Sequence, residues 1–451
     1  MSLQKFIQSA FLVSSIALVD SASLRSQDVT AVNDANDASG FLSDRVLSNS
    51  PPSLPLAWNP ESVRWKCDLP GYGQSSPVVW SGKVYVTSVE GASKNRCLLT
   101  CIDLQSGTEF WRSTIDSADP VESTPMVSRA APTPACDENG VYTFFESGDL
   151  LAVDHTGKTL WHRKLQAEYG KFDNKFGVSS SVAQTGELLF LLVDHDGQSY
   201  LLAVQKSNGE TAWQALRENH GHSWTSPAII SLSGQPLVVC SSIGSVDVYD
   251  VASGSRLVHY TELGGNSVAS PIDFGEGRVL VSSLIRPADG PVEGATRSNL
   301  LAKLSRQGDL YQLEVQWIAE NARGSFCSPI LHGNECYWIN PQGVLFCLDA
   351  ETGKEHYAKR LSCGACWATP LAVGEHVYLF GREGETTVIK AGPQFEELSP
   401  GNRLWNADLT EAEQVPAGPS GPAKRTVYGV IAVDNAFLFR SGDALYRVDS
   451  N

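Results

Sequence analysis

Two histidines stand two residues apart in "ENHGHSWTSP" (218–227). On an extended strand, residues i and i+2 point the same way, so His220 and His222 could share a metal ion. A third ligand is not evident at a suitable spacing, so the expectation is solvated loop histidines and no metal. In "VDHDGQ" (193–198), Asp194, His195 and Asp196 crowd one turn. A calcium loop needs more oxygen ligands at defined spacing, so these residues read as turn chemistry. Cys363 and Cys366 form a Cys-x-x-Cys. No second such pair and no thioredoxin-like βαβ context accompanies it, which leaves buried thiols or a local bridge. There is no G-x-S-x-G, H-E-x-x-H or P-loop, and dispersed Ser and His do not single out a nucleophile and its base. The chemistry therefore depends on the elements that hold these residues.

The chain has 451 residues, 42% hydrophobic and 19% charged, with 39 Gly, 11 Trp and 2 Met. That is room for several domains or one large repeat array, and the Gly and Trp usage suits an all-β protein with many turns. A net charge of −16 leaves no basic excess to neutralise phosphates, so nucleic acid and anionic membrane are not expected partners. Residues 1–23 carry one Lys, an apolar run from Phe6 to Val19, and then small residues. This is the shape of a secretory signal peptide, too short and Ser-broken for a stable span. The first cysteine is Cys67, so a lipid-modified cysteine anchor is not expected. Residues 24–57, rich in Ser, Asp, Asn and Pro, are expected to be a flexible leader. Export permits disulfides. Cys336 and Cys347 flank "NPQG" (340–343) symmetrically and are the candidate pair across a hairpin.

A phrase of hydroxyl, Pro and apolar alternation recurs along the chain. It reads "SSPVVW" (75–80), "STPMVS" (123–128), "TSPAII" (225–230), "ASPIDF" (269–274), "CSPILH" (327–332) and "ATPLAV" (368–373). "SSSVAQ" (179–184) and "YGVIAV" (428–433) fill the gaps, making eight copies. Each copy continues into an alternating strand, a Gly turn and a third strand. An Asp and a Ser/Thr/Asn-Gly turn follow, then an aromatic that opens a fourth strand, as in "CIDLQSGTEFW" (101–111) and "CLDAETGKEHY" (347–357). Period-2 alternation marks strands and Gly turns mark hairpins, and four antiparallel strands per unit is a propeller blade. The last unit stops at its turn Asp, "ALYRVDSN" (444–451). Its missing strand is "SVRWKCDL" (62–69), ahead of the first unit. The expected fold is an all-β, eight-bladed propeller over 58–451, closed by an N-terminal strand that completes the last blade.

The A-x-D-x-x-T/S-G-x-x-x-W pattern resembles the repeat of the pyrroloquinoline-quinone (PQQ)-like propellers. That family comprises the quinoprotein alcohol dehydrogenases and non-catalytic relatives, among them the propeller lipoprotein of outer-membrane β-barrel assembly. The resemblance covers about 60–451, with the motif one residue short in blade two and divergent in blades five and seven. In the catalytic members it implies an adjacent cysteine bridge over the cofactor, a stacking Trp, Ca²⁺ held by Glu, Asn and Asp, and a general-base Asp. This sequence has no adjacent Cys-Cys and departs from that pattern.

On a propeller, function usually sits at the mouth, on the loops that precede each innermost strand. Those loops offer Gln74, Glu122, Lys175 with Phe176, and His222 with Trp224. Further round they offer Asn266, Arg323, Phe326 and Trp367. Aromatic faces with a few polar groups suit a polar organic ligand or a peptide segment. Two insertions, 286–299 and 410–425, extend the loops of the same face. The expected protein is an exported monomer, periplasmic or secreted, and a non-catalytic scaffold for a protein or cell-envelope component. It needs no cofactor and has no membrane span. The alternative is a PQQ-dependent oxidoreductase of alcohols or sugars, with the quinone stacked on Trp224 or Trp367. A lyase or hydrolase using the mouth His and Arg is a third reading.

Overall fold

The computed structural model describes residues 37–43, 53–121, 128–174, 176–218, 220–265, 268–284, 298–406 and 425–450. The expected signal peptide and most of both long insertions lie outside them. The described strands form eight four-stranded antiparallel sheets, seven of them in chain order. The eighth blade takes Val427–Val433, Ala436–Ser441 and Ala444–Asp449 from the end of the chain and Val63–Asp68 from its beginning. Lys66 pairs with Tyr446 and Cys67 with Leu445, so both free edges of the array are closed by one ladder, as expected. Among the described residues no helix is long and apolar enough to cross a membrane.

In blade one the second and third strands are buried on both faces, whereas the fourth, Glu109–Asp116, alternates. Apolar clusters fill the gaps between neighbouring blades rather than the channel. Five of the eight blade junctions share one device at the rim. The Trp of a fourth strand lies on the Gly of the next blade's outer turn and donates Nε1–H to a carbonyl there. Trp65 does this to Leu104 at 3.2 Å, Trp111 to His155 at 3.1 Å and Trp161 to Lys206 at 2.7 Å. Trp213 reaches Val251 at 2.9 Å and Trp317 reaches Ala350 at 3.0 Å. A Cβ on the turn glycines Gly107, Gly157, Gly209, Gly254 or Gly353 would stand 2.5–2.7 Å from the ring, and each has positive φ. Only Gly satisfies both demands. The turn Asp caps the same loop: Asp349 Oδ1 accepts from Thr352 N–H at 2.8 Å and from its hydroxyl at 2.6 Å.

Three details differ from the sequence expectations. Blade two starts at Ala135–Asp137, after Thr133-Pro134; "STPMVS" lies almost wholly outside the described residues. Cys336 pairs with Leu348 and Tyr337 with Cys347. The two cysteines therefore face opposite sides of the sheet, in different clusters, as free thiols. The turn contributes three residues between Asn340 and Val344, which bond to each other, and that odd count shifts the register by one. Lastly, two pieces of the expected leader are held by the propeller. Ala38 bridges Val79, Ser39 accepts from Cys136 N–H at 2.8 Å, and Leu54 is buried in the core shared by blades seven and eight.

Candidate functional site: the propeller mouth

The recurring hydroxyl has a structural task. Ser76 N–H donates to Thr133 Oγ1 of the next blade at 3.0 Å, and Thr133 N–H donates to Ser181 Oγ at 3.0 Å. The chain of bonds continues from Ser181 to Ser226 at 2.9 Å and from Ser226 to Ser270 at 2.8 Å. It ends with Ser270 to Ser328 at 3.1 Å and Ser328 to Thr369 at 3.2 Å. Blade eight carries Gly429 in this belt, where a Cβ would stand 2.4 Å from Ser76 Oγ. Each innermost strand thus satisfies a backbone donor on its neighbour and fixes the channel radius.

Strand alternation then decides what faces the channel. The residue before each belt hydroxyl turns into the blade; Ser75, Thr225, Cys327 and Ala368 are buried. The residue two before it turns inward. Gln74, Trp224, Phe326 and Trp367 occupy that position, and all four line one cavity of about 350 Å³. Phe176 and Tyr428 add rings to its wall. Phe176 lies against Trp224 with centroids 5.8 Å apart. Across the channel, Trp367 lies between Phe326 at 5.3 Å and Tyr428 at 5.6 Å. The leader also reaches the cavity: Asp37 accepts from Ser81 N–H at 2.9 Å, and Gly40, Phe41 and Leu42 are among the lining residues.

The other expected mouth residues are placed differently. Glu122, Lys175 and Asn266 lie outside the described residues. His222 stands on the rim, against Trp224 with centroids 5.0 Å apart, and pairs with Asp196 at 2.8 Å. Arg323 folds onto its own loop, donating to the carbonyls of Ala322 at 2.7 Å and Glu320 at 2.9 Å. It does not line the cavity. Burial lowers its affinity for a proton.

His220 is not a solvated loop residue; it is buried and bonds Asp247 at 2.9 Å. Asp247 also pairs with His259 at 2.6 Å and Arg217 at 3.2 Å, and Arg217 holds Asp194 at 2.8 Å. His220, Asp247 and His259 offer ligand atoms within 4.8 Å of one another. The carboxylate is already shared with the fully buried Arg217 guanidinium, so this is an ion-pair lock between blades three and four. Burial opposes the Asp247 charge, but bonds from His220 and the Arg217 charge outweigh it and hold the carboxyl down at about 2. Cys363 and Cys366 are buried free thiols, with Cys363 donating to the Leu379 carbonyl at 3.3 Å.

One lining residue carried no repeat signal. Glu146, in the turn after the second strand of blade two, is 1% exposed. Burial pushes its carboxyl up to about 7. Arg129, the Ala131 N–H and Lys94 act in the other direction.

Residues 35–177, 98–292 and 312–449 match the family model described as outer membrane protein assembly factor BamB. The chain belongs to this family. Solved structures share the fold at low identity. BamB from Moraxella catarrhalis is 11% identical with a TM-score of 0.58, covering 86% of this chain and 97% of that one. Quinohemoprotein alcohol dehydrogenase from Comamonas testosteroni is 12% identical with a TM-score of 0.54, covering 92% and 81%. A computationally designed protein, Ika8, is 13% identical with a TM-score of 0.51, covering 85% and 98%. No curated protein sequence matches the chain. Family and fold therefore include both a named assembly factor and a named dehydrogenase, and the residues must decide between them. PQQ is a flat tricarboxylate that needs basic partners. The described cavity lining offers no Lys or Arg and one buried carboxylate, Glu146. The described lining residues by themselves supply no such basic partner.

Proposed function

We propose that this protein is an exported, non-catalytic scaffold of the cell envelope that holds a segment of a partner protein at the propeller mouth. The observation that carries this reading is the mouth cavity. It has aromatic walls on opposite sides, polar belt hydroxyls between them, and Gly40–Leu42 of the chain's own leader in its lining. Such a space has the size and the mixed apolar and polar lining to receive a side chain with part of its backbone. Membership of the BamB family supports the assembly role, and a periplasmic or secreted monomer is the form in which it acts.

A photo-crosslinking residue in place of Phe326, which is 41% exposed on the mouth, tests the proposal in the source cells. The same probe at Leu160, 46% exposed on the outer strand of blade two, is the control. A discrete adduct with an envelope protein from position 326, absent from position 160 and lost on Trp224→Ala, is the expected result. Equal adducts from both positions, or none from the mouth, would sink the reading. Saturable PQQ binding abolished by Trp224→Ala would replace it with the oxidoreductase.

A further inference from the structure

Resting on the mouth as the binding site, we infer that its cavity takes the cationic side chain of an Arg or Lys carried on the partner's chain. Glu146 is the one acidic residue among the described lining residues, and none of them is basic. Its Oε1 accepts from the Ser128 hydroxyl at 3.3 Å and the Ala131 N–H at 3.2 Å. Its Oε2 is buried and has no hydrogen-bond partner among the described residues. A carboxylate oxygen removed from water and left without a donor is costly, and a ligand that brings a donor recovers that cost on binding.

The walls beside it favour the same charge. Phe176 and Trp224 stand on the loops that enter blades three and four, the two blades after the one that carries Glu146. Faces of Trp and Phe attract ammonium and guanidinium groups through the ring quadrupole. The opposite wall shows the preference inside the molecule, with the Arg382 guanidinium carbon 6.0 Å from the Trp367 ring centroid. Trp224 also has a buried indole N–H with no partner among the described residues. Two residues that line the cavity thus carry one acceptor and one donor left unsatisfied, beside an aromatic wall. A basic residue in a peptide supplies both complements: its charged N–H groups for Glu146 and a backbone carbonyl for Trp224 Nε1. The formal charge of −16 draws a basic segment toward this surface from a distance.

The cations nearest Glu146 do not occupy the cavity. Arg129 donates Nη1 to the Glu146 carbonyl oxygen at 3.0 Å and Nη2 to Asp119 at 3.4 Å. Neither Arg129 nor Lys94 belongs to the lining. Burial pushes the Glu146 carboxyl up to about 7, and an arriving cation favours its charged form, so binding near that pH releases a proton.

The test is calorimetric titration of the full chain at pH 8 with acetyl-Gly-Gly-Arg-Gly-Gly-amide. The same peptide with citrulline replacing Arg is the neutral isostere, and agmatine is the free guanidinium. Saturable binding of the Arg peptide is expected, with at least ~10-fold weaker binding of the citrulline peptide, as for one charge-assisted hydrogen bond. Glu146→Gln keeps the side-chain shape and the Oε1 contacts, and should weaken the Arg peptide by a similar factor. Binding repeated at pH 6.5 in two buffers of different ionisation enthalpy should report proton release from the native chain and none from Glu146→Gln. Equal binding of the citrulline peptide, or unchanged binding by Glu146→Gln, overturns the cation assignment. Agmatine binding as tightly as the peptide overturns the peptide part. No binding of any of the three overturns the inference as a whole. The scaffold reading is judged separately, by the adduct at position 326.

Discussion

The rim and the mouth of this propeller treat the repeat in opposite ways. At the rim, five joints reuse one set of residues: a Trp on a glycine with positive φ, an indole bond to a turn carbonyl, and commonly an Asp cap. At the mouth, the belt hydroxyl is reused, but the position two residues before it holds Gln74, Ala131, Ser179, Trp224, Val268, Phe326 and Trp367 in successive blades. The first pattern sets spacing and closure. The second varies on a fixed backbone, so it is free to carry recognition. The rim itself is not uniform. Where blade six meets blade seven, Tyr357 packs edge-on against Phe395 with centroids 5.6 Å apart, in place of the Trp–Gly contact.

The largest expected effect breaks a regular joint. Trp317 is 8% exposed, sits on Gly353 and is bonded to the Ala350 carbonyl. Trp317→Ala should cost about 4 kcal/mol, in the range for a buried Trp truncated to a cavity. Urea denaturation gives the value. A cost under about 1 kcal/mol would show that the joint contributes little beyond shape.

A pair of glycine substitutions sharpens the same comparison. Gly353 and Gly308 both have positive φ, at 70° and 62°. A Cβ on Gly353 would stand 2.6 Å from the Trp317 ring, whereas one on Gly308 meets nothing within 4 Å. Gly308→Ala should cost only the left-handed backbone, about 1 kcal/mol. Gly353→Ala should cost at least twice that, since the ring must also move. Equal costs would mean that the indole yields freely.

The rim was legible because its residues act through local geometry that recurs. The Asp cap, the positive-φ glycine and the following aromatic are each demanded by one turn, so five joints print the demand repeatedly, four of them with the Asp. Four of the expected mouth residues were legible for a related reason, since period-2 alternation places Gln74, Trp224, Phe326 and Trp367 on the channel side of a known strand. Legibility failed where two signals overlapped or none existed. "STPMVS" and "PTPACD" stand nine residues apart and both carry hydroxyl-Pro. What marks the second is the three-residue strand and two-residue turn that follow it, matching blade one. Cys336 and Cys347 look symmetric about "NPQG", but register depends on whether the turn contributes an odd or an even number of residues. Glu146 lies in a plain polar turn. Its burial comes from Ser128, Arg129 and Ala131, contacts between loops that no spacing announces.

A cap removed from one outer turn gives an effect no larger than that of Gly308→Ala. Asp349→Ala loses the bonds from the Thr352 N–H and hydroxyl, near the surface, and should cost about 1 kcal/mol by urea midpoint. An unchanged midpoint would show that water replaces the cap without loss.

The smallest effect separates rim from mouth by the sign of its pH dependence. Hydrogen bonds from Ser106, Thr156 and Thr352 hold the Asp103, Asp154 and Asp349 carboxyls below their usual range. In the unfolded chain these groups take up protons near pH 3.9. Their contribution is present above that pH and is lost as pH falls through the lower folded values. Glu146 behaves oppositely. Its folded value of about 7 lies above the unfolded value near 4.3, so the folded state binds the extra proton between them. Stability from this group is whole below about pH 4 and falls as pH rises toward 7, because the folded chain must then hold a buried charge. Glu146→Gln removes that cost. Its stability relative to the native chain should rise from pH 4 to pH 8, while Asp349→Ala should differ most from the native chain above pH 4 and converge with it in acid. Urea midpoints across that range measure both. A flat difference for Glu146→Gln would mean that the carboxylate at the mouth is already satisfied when charged. The scaffold and the site would then obey the same rule.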